Sequence, residues 1–291
     1  MKIVGAMQIG GNCSWILDSS LKNLSSLVDE IVVVGTGNIP EETRKIIANY
    51  DKIVDSHFDT NIANRIEWND MNKLLNMAQK RQADWILFMD ADETFEPRLA
   101  KEIRQLVKNS TAGMYRFKRH WLWKDTNHYR VDRPDKFSTI SFNTYLVRSN
   151  SSLVFPNPAG KILKRIIKHV SGKEKLRPYF GRDPITGVKG KVIETDIILL
   201  HHAALNWSQF IQNQIWYATL ISKRQPKRKE EEIVNQFYSI IDESTLKLEQ
   251  VKPEWFDRVC QNIRDMVAIK KRDNLSVTIG MQMVLMPQDG D

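Results

Sequence analysis

Short apolar segments alternate with amphipathic stretches through the first hundred residues, and this alternation restricts the fold more than any other feature of the chain. Residues 3–7 and 31–34 are rich in β-branched and apolar side chains and read as strands. Gly10-Gly11-Asn12 turns the chain into a helix over residues 14–27, where Trp15, Ile16, Leu17, Leu21, Leu24 and Leu27 recur near the helical period. After the loop Gly35-Thr36-Gly37-Asn38, Pro40 is suited to the first turn of a helix reaching about Tyr50, and residues 52–55 form a short third strand. A helix over residues 70–81 feeds the strand 85–89, and Pro97 opens another helix through Lys108. Strands joined by helices build a parallel sheet covered on its faces.

Past residue 110 the connections lengthen and the pattern becomes mixed, with strands expected near 112–117, 140–148 and 191–201. From Trp207 the chain reads as helical, interrupted by charge at 223–232 and restarting at Pro253. The expected architecture is α/β: a Rossmann-like domain with a mixed central sheet over residues 1–206, in halves of about 1–110 and 111–206, then a helical extension over 207–291. There is no internal repeat.

Composition narrows the function classes. Of the 291 residues, 42% are hydrophobic and 27% charged, which excludes a disordered or fibrous chain. Lys and Arg number 43 against 35 Asp and Glu, a net charge of +8 that favours an anionic partner such as a nucleotide diphosphate, an acidic glycan, a lipid headgroup or nucleic acid. Cys13 and Cys260 show neither metal-ligand nor redox spacing, so a reduced, cytoplasmic setting is expected. The amino terminus reads as a first strand, not a signal peptide, and no run reaches the roughly 20 apolar residues of a bilayer span.

The strand 85–89 ends directly in Asp90-Ala91-Asp92-Glu93. Two Asp residues one apart at a strand end project to the same side, where they can share one hard divalent cation, Mn²⁺ or Mg²⁺. Such an ion leaves positions for phosphate oxygens and neutralises a departing diphosphate. The triplet alone says little, because Asp289-Gly290-Asp291 repeats it without a strand in front. Position distinguishes the two, since ligands of open α/β sheets sit outside the carboxyl ends of strands. A second apolar strand ends in His201-His202, and alternation lets one of these imidazoles complete the ligand set.

The stretches 28–37, Val-Asp-Glu-Ile-Val-Val-Val-Gly-Thr-Gly, and 83–93, Ala-Asp-Trp-Ile-Leu-Phe-Met-Asp-Ala-Asp-Glu, resemble glycosyltransferase family 2 enzymes of the A-type nucleotide-sugar fold (GT-A). The resemblance implies Asp92 as the main metal carboxylate, Asp90 as its partner on metal or donor ribose, and His201 as a later metal ligand, with His202 the fallback. It implies Met7 and Gln8 beside the nucleotide base and Thr36 at the tip of the second strand, with Asn72 or Lys73 taking over a phosphate or base contact. Relatives carry acids after the first two strands where this chain has Gly10-Gly11-Asn12 and Gly35.

The resemblance also implies transfer with inversion in a single displacement, which needs a carboxylate to deprotonate the acceptor hydroxyl. Asp132, Asp135, Asp183 and Glu194 are the candidates, with Asp183 in Gly181-Arg182-Asp183-Pro184 preferred and Asp132 next. The basic, aromatic segment 116–133 offers an acceptor surface through Trp121, Trp123 and Arg130, because Trp stacks on sugar rings and Arg holds anionic groups. The run 223–229 is basic, and the acids that follow it disfavour nucleic acid while leaving a peripheral contact with anionic lipid open, as at the inner face of a membrane. The expected activity is metal-dependent, inverting transfer of a sugar from a UDP- or GDP-linked donor to a glycan or lipid-linked acceptor in cell-surface glycan synthesis. Two other readings stand beside it: a catalytically weak binding protein on the same fold, and a nucleic-acid-directed protein.

Overall fold

The computed structural model describes residues 1–10, 13–60, 67–156, 184–224 and 228–256. Its first part alternates β1 (Ile3–Gly10), α1 (Ser14–Leu27), β2 (Glu30–Thr36), α2 (Glu41–Ala48), β3 (Ile53–Asp59), α3 (Glu67–Lys80) and β4 (Trp85–Asp90). The chain continues through β5 (Glu93–Phe95), α4 (Pro97–Leu106), β6 (Ala112–Trp121), β7 (His128–Arg130), α5 (Pro134–Phe137), β8 (Ser138–Arg148) and β9 (Lys191–His201). Two helices, α6 (Trp207–Arg224) and α7 (Glu230–Ile241), and the short strand β10 (Leu248–Gln250) follow.

One eight-stranded sheet runs in the order β3-β2-β1-β4-β8-β6-β9-β5. The β3-β2-β1-β4 half is parallel, β8 is antiparallel to both β4 and β6, and β9 is parallel to β6 but antiparallel to β5. This is the mixed central sheet expected of the α/β domain. Strand alternation divides the core in two. Ile3, Met7, Ile31, Val33, Trp85 and Leu87 pack on one side against Leu17, Leu21 and Leu24 of α1. Val4, Ala6, Val32, Val34, Ile86 and Phe88 pack on the other against Met71, Leu74 and Ala78 of α3. Each such side chain, buried fully, contributes about 1.5–3 kcal/mol, which is why the central strands carry almost no polar residue before their ends.

Several elements differ from expectation: β7, α5 and β10 are new, β10 falling in the stretch read as helical, and three others bear on the sheet. β3 extends to Asp59 although Asp55, Ser56 and His57 are exposed, because an edge strand needs ladder hydrogen bonds to β2 more than a buried face. β6 continues past residue 117 through Lys118 and Arg119, held by β8 on one side and β9 on the other. β5 has no counterpart among the expected strands; three residues are too few for a period, and the strand exists because Glu93, Thr94 and Phe95 pair with His201, Leu200 and Leu199. After β9, Phe210 of α6 joins Trp123, Phe137 and Ala204 in a third, aromatic cluster, while β10 pairs with β7. Among the described residues no helix is long and apolar enough to cross a membrane.

Candidate active site

The carboxyl ends of β1, β2 and β4 lie side by side, with Gln8 opposite Asp90 and Gly10 opposite Thr36 in the ladders. The short β5–β9 pairing then brings in a segment more than a hundred residues away. The His202 amide donates to the Asp92 carbonyl at 2.8 Å, and the Leu122 amide to the His201 carbonyl at 3.0 Å. Asp92 and His201 are thereby fixed through their own backbones, and His201 Nε2 stands 3.7 Å from Asp92 Oδ2. Both line a cleft of about 290 Å³ with Gln8, Asp90, Arg119 and Trp121.

Adjacent histidines take opposite duties. His201 faces the cleft and stacks on Trp121, ring centroids 4.1 Å apart and 22° from parallel. His202 is fully buried, its Nε2 2.8 Å from Thr94 Oγ1. Burial first, and then the Arg119 charge, lower the His201 pKa to about 3, so its imidazole is neutral with a lone pair to offer. Glu93 lies beneath, accepting hydrogen bonds from the Asp90 amide at 3.2 Å and from the Thr144 hydroxyl. Its pKa is pushed up to about 8 by burial and then by Asp90, with Arg119 opposing. Cys13 borders the same cleft, and burial, aided by Asp92, raises its thiol to about 12, which leaves it protonated and inert.

Asp90, Asp92 and His201 bring two carboxylates and one neutral imidazole to the cleft. That chemistry suits Mn²⁺ or Mg²⁺, and the His201–Asp92 separation exceeds a hydrogen bond while remaining short enough for two ligands of one ion. Among the described residues no group of three or more His, Cys, Asp and Glu side chains forms a ready-made cage. An ion held there would keep several waters, as Mg²⁺ does at sites with few carboxylates.

Other expected positions are distributed by the same alternation. Met7 belongs to the α1 face of the sheet and is fully buried there, so it is a core residue rather than a base contact. Gln8 and Thr36 point to the α3 face, where Asp70 receives them: Thr36 Oγ1 donates to Asp70 Oδ2 at 2.7 Å and Gln8 Nε2 to the same oxygen at 3.5 Å. Asp70 was read only as a helix start, and its buried carboxylate now stands beneath the tips of β1 and β2, where an acid was missed from the strands themselves. An acid at Gly35 would not fit unchanged, since a Cβ there would lie 2.7 Å from the Phe58 ring. Lys73 Nζ is 3.9 Å from Asp70 Oδ1. Asn72 instead clamps the Phe155 backbone, donating to its carbonyl at 2.8 Å and accepting from its amide at 3.0 Å, and so has a structural task.

Of the acceptor residues expected, Trp121 alone borders the cleft. Trp123 is 2% exposed, with Nε1 donating to Glu243 at 2.5 Å. Arg130 is fully buried, paired with Asp132 through Nε at 2.6 Å and through a second nitrogen at 2.9 Å, its guanidinium 4.3 Å from the Trp123 and Phe137 ring centres. Arg130 and Asp132 therefore satisfy each other inside the protein, which corrects the reading of one as an acceptor contact and of the other as a base. Glu194 pairs with Arg116 at 3.2 Å. Asp183 lies outside the described residues.

A family model described as glycosyl transferase family 2 matches residues 16–166, just over half of the 291-residue chain. Among solved structures, the chain is similar to S. aureus TarS 1–349 at 13% identity and a TM-score of 0.43, covering 82% of this chain and 71% of that one. The same protein in complex with UDP gives 12% identity and 0.44 over 84% and 71%, and in complex with UDP-GlcNAc 13% and 0.42 over 82% and 72%. No curated protein sequence matches the chain.

Proposed function

This chain belongs to glycosyltransferase family 2, and on that premise we propose that the Asp90–Asp92–His201 cleft binds a UDP- or GDP-linked sugar together with Mn²⁺ or Mg²⁺ and transfers the sugar, with inversion, to the hydroxyl of a glycan or lipid-linked acceptor. The observation that carries the metal-dependent part is the 3.7 Å approach of a neutral His201 Nε2 to Asp92 Oδ2 at the carboxyl ends of the sheet. A divalent ion held by Asp90, Asp92 and His201 would offset the charge of the diphosphate as it leaves.

The chain's own residues do the rest. Gln8, positioned by Asp70, borders the nucleotide end, and Trp121 presents its ring to a sugar, whose C–H face stacks on an aromatic surface. Deprotonation of the acceptor is assigned to Asp183. The cell-surface role and a peripheral contact of the basic run with anionic lipid at the inner membrane face belong to the same proposal.

The test is calorimetry of a panel of nucleotide sugars with and without Mn²⁺, on the wild type and on Asp92→Ala. The expected result is Mn²⁺-dependent binding of one donor that the substitution abolishes. Equal binding with and without the ion, on protein that melts cooperatively, would refute metal dependence; binding of no donor would refute the donor cleft itself.

A further inference from the structure

The cations of the basic, aromatic segment are mostly spoken for. Arg116 pairs with Glu194, Lys124 with Glu243 at 2.7 Å, Arg130 with Asp132, and Arg133 with Asp242 at 3.2 Å. Alternation along β6 sends Lys118 and His120 to the opposite side of the sheet, where they line a separate cavity with Tyr129 and Trp255. Arg119 and Trp121 take the other side, and Arg119 is the cation of this segment that borders the cleft with Asp90, Asp92 and His201.

Its setting is unlike that of its neighbours. Among the described residues Arg119 makes no ion pair, its Nε is buried without a hydrogen-bond partner, and its guanidinium lies 5.5 Å from the centre of the Trp121 ring. Trp121 in turn stacks on His201, so guanidinium, indole and imidazole form one row along the cleft wall. β6 is paired on both sides at this point, Arg119 with Thr139 of β8 and with Leu199 of β9, and the backbone carrying the charge is correspondingly rigid. A half-buried guanidinium on a rigid strand, with an Nε that no group in the protein satisfies, keeps donor capacity for an anion entering the cleft.

We propose that Arg119 is a catalytic residue that holds the leaving diphosphate of the donor through its guanidinium. This rests on the donor-cleft reading above and adds to the charge of the ion a directional N–H donor that two carboxylates and an imidazole lone pair do not supply. In the transfer, the acceptor oxygen forms its bond to the anomeric carbon while the bond from that carbon to the β-phosphate oxygen breaks. The bonding pair stays on the phosphate oxygen, and the acceptor's proton passes to the general base. The diphosphate gains one negative charge in this step, and a planar guanidinium that donates to phosphate oxygens binds it more strongly at the transition state than in the ground state. The effect therefore falls on kcat more than on KM.

The experiment uses the full chain and the donor that the calorimetric panel selects. Turnover is measured for wild type, Arg119→Lys, Arg119→Gln and Arg119→Ala, along with affinities for UDP and GDP against uridine and guanosine. Arg119→Gln is expected to lower kcat about 100-fold with donor KM changed less than about threefold, and Arg119→Lys to retain more turnover because it keeps the charge without the fork. The nucleoside diphosphate matching the donor should bind the Gln variant about tenfold more weakly, the nucleoside equally well, and added methylguanidinium should restore part of the Arg119→Ala turnover. Unchanged kcat in Arg119→Gln would overturn the proposal. So would a loss of kcat that comes with a lowered melting temperature, undiminished diphosphate affinity and no rescue, since that pattern marks a structural cation. Failure of the wild type to bind any donor would instead strike the cleft reading on which this one depends.

Discussion

Replacing Asp132 by Asn separates a structural from a catalytic carboxylate in one experiment. Its side chain is 1% exposed and that of Arg130 is 0%, and the substitution leaves the guanidinium with the carbonyls of Ile240 and Asp242 and two aromatic faces but no carboxylate bonded to it, only the more distant charges of Asp242 and Glu243. Breaking a buried pair from one side costs about 3–5 kcal/mol, and the surviving partners place the expected loss near the lower end, about 3 kcal/mol. For a chain of this size that lowers the melting temperature by roughly 6–12 °C. Arg130 holds the Asp132 carboxyl at a pKa of about 2, below its unfolded value, so the stabilisation is fully present above about pH 4 and is lost as pH falls towards 2. That window is worth about 2–3 kcal/mol, and it should vanish from the pH dependence of the variant. Urea denaturation of wild type and Asp132→Asn at pH 7 measures the first quantity, and at pH 3 about 1 kcal/mol of the second, a little under half of the window, with donor turnover followed at pH 7. A loss under about 1 kcal/mol, or turnover abolished in a variant of undiminished stability, would refute the structural role and return Asp132 to the list of bases.

The adjacent histidines should separate in the same way. His201→Ala is expected to abolish Mn²⁺-dependent donor binding while melting near the wild-type temperature, whereas His202→Ala removes a fully buried imidazole and its hydrogen bond to Thr94 Oγ1 and should cost about 1–3 kcal/mol by urea denaturation. Asp70→Ala removes the carboxylate that receives Gln8 and Thr36, and calorimetry should show donor affinity falling about tenfold, the loss of one charge-assisted hydrogen bond's worth of positioning. An unchanged affinity would confine Asp70 to a packing role.

Much of the parallel half of the sheet was legible because its strands are buried on both faces. Val32, Val33 and Val34, or Ile86, Leu87 and Phe88, leave no other arrangement that hides every side chain, and the end of such a run marks where solvent and ligands begin. For the same reason Asp90 could be placed at a strand end from the sequence, whereas Asp92 lies in the turn between β4 and β5, beyond the reach of strand alternation. Residues 191–201 were read as a strand with its end at the histidines, and the structure gives the same bounds. What went unread depends on contacts between distant segments. β5 has too few residues to show a period and exists through its pairing with β9, while Asp70 is one more acid at a helix start until α3 packs across the tips of β1 and β2.

The sequence by itself determined the α/β class, the order of the early elements and the chemistry available at the end of β4, since local periodicity and strand alternation are properties of neighbouring residues. Only the tertiary structure decided which charged and aromatic side chains share a cleft. Arg116, Arg119 and Arg130 are of one type within fifteen positions, yet one meets Glu194, one faces the Asp90–Asp92 cluster and one is sealed against Asp132. The partner of a charge is set by strand register and by which distant segment packs against it, and long-range pairing of that kind leaves no periodic trace in the chain.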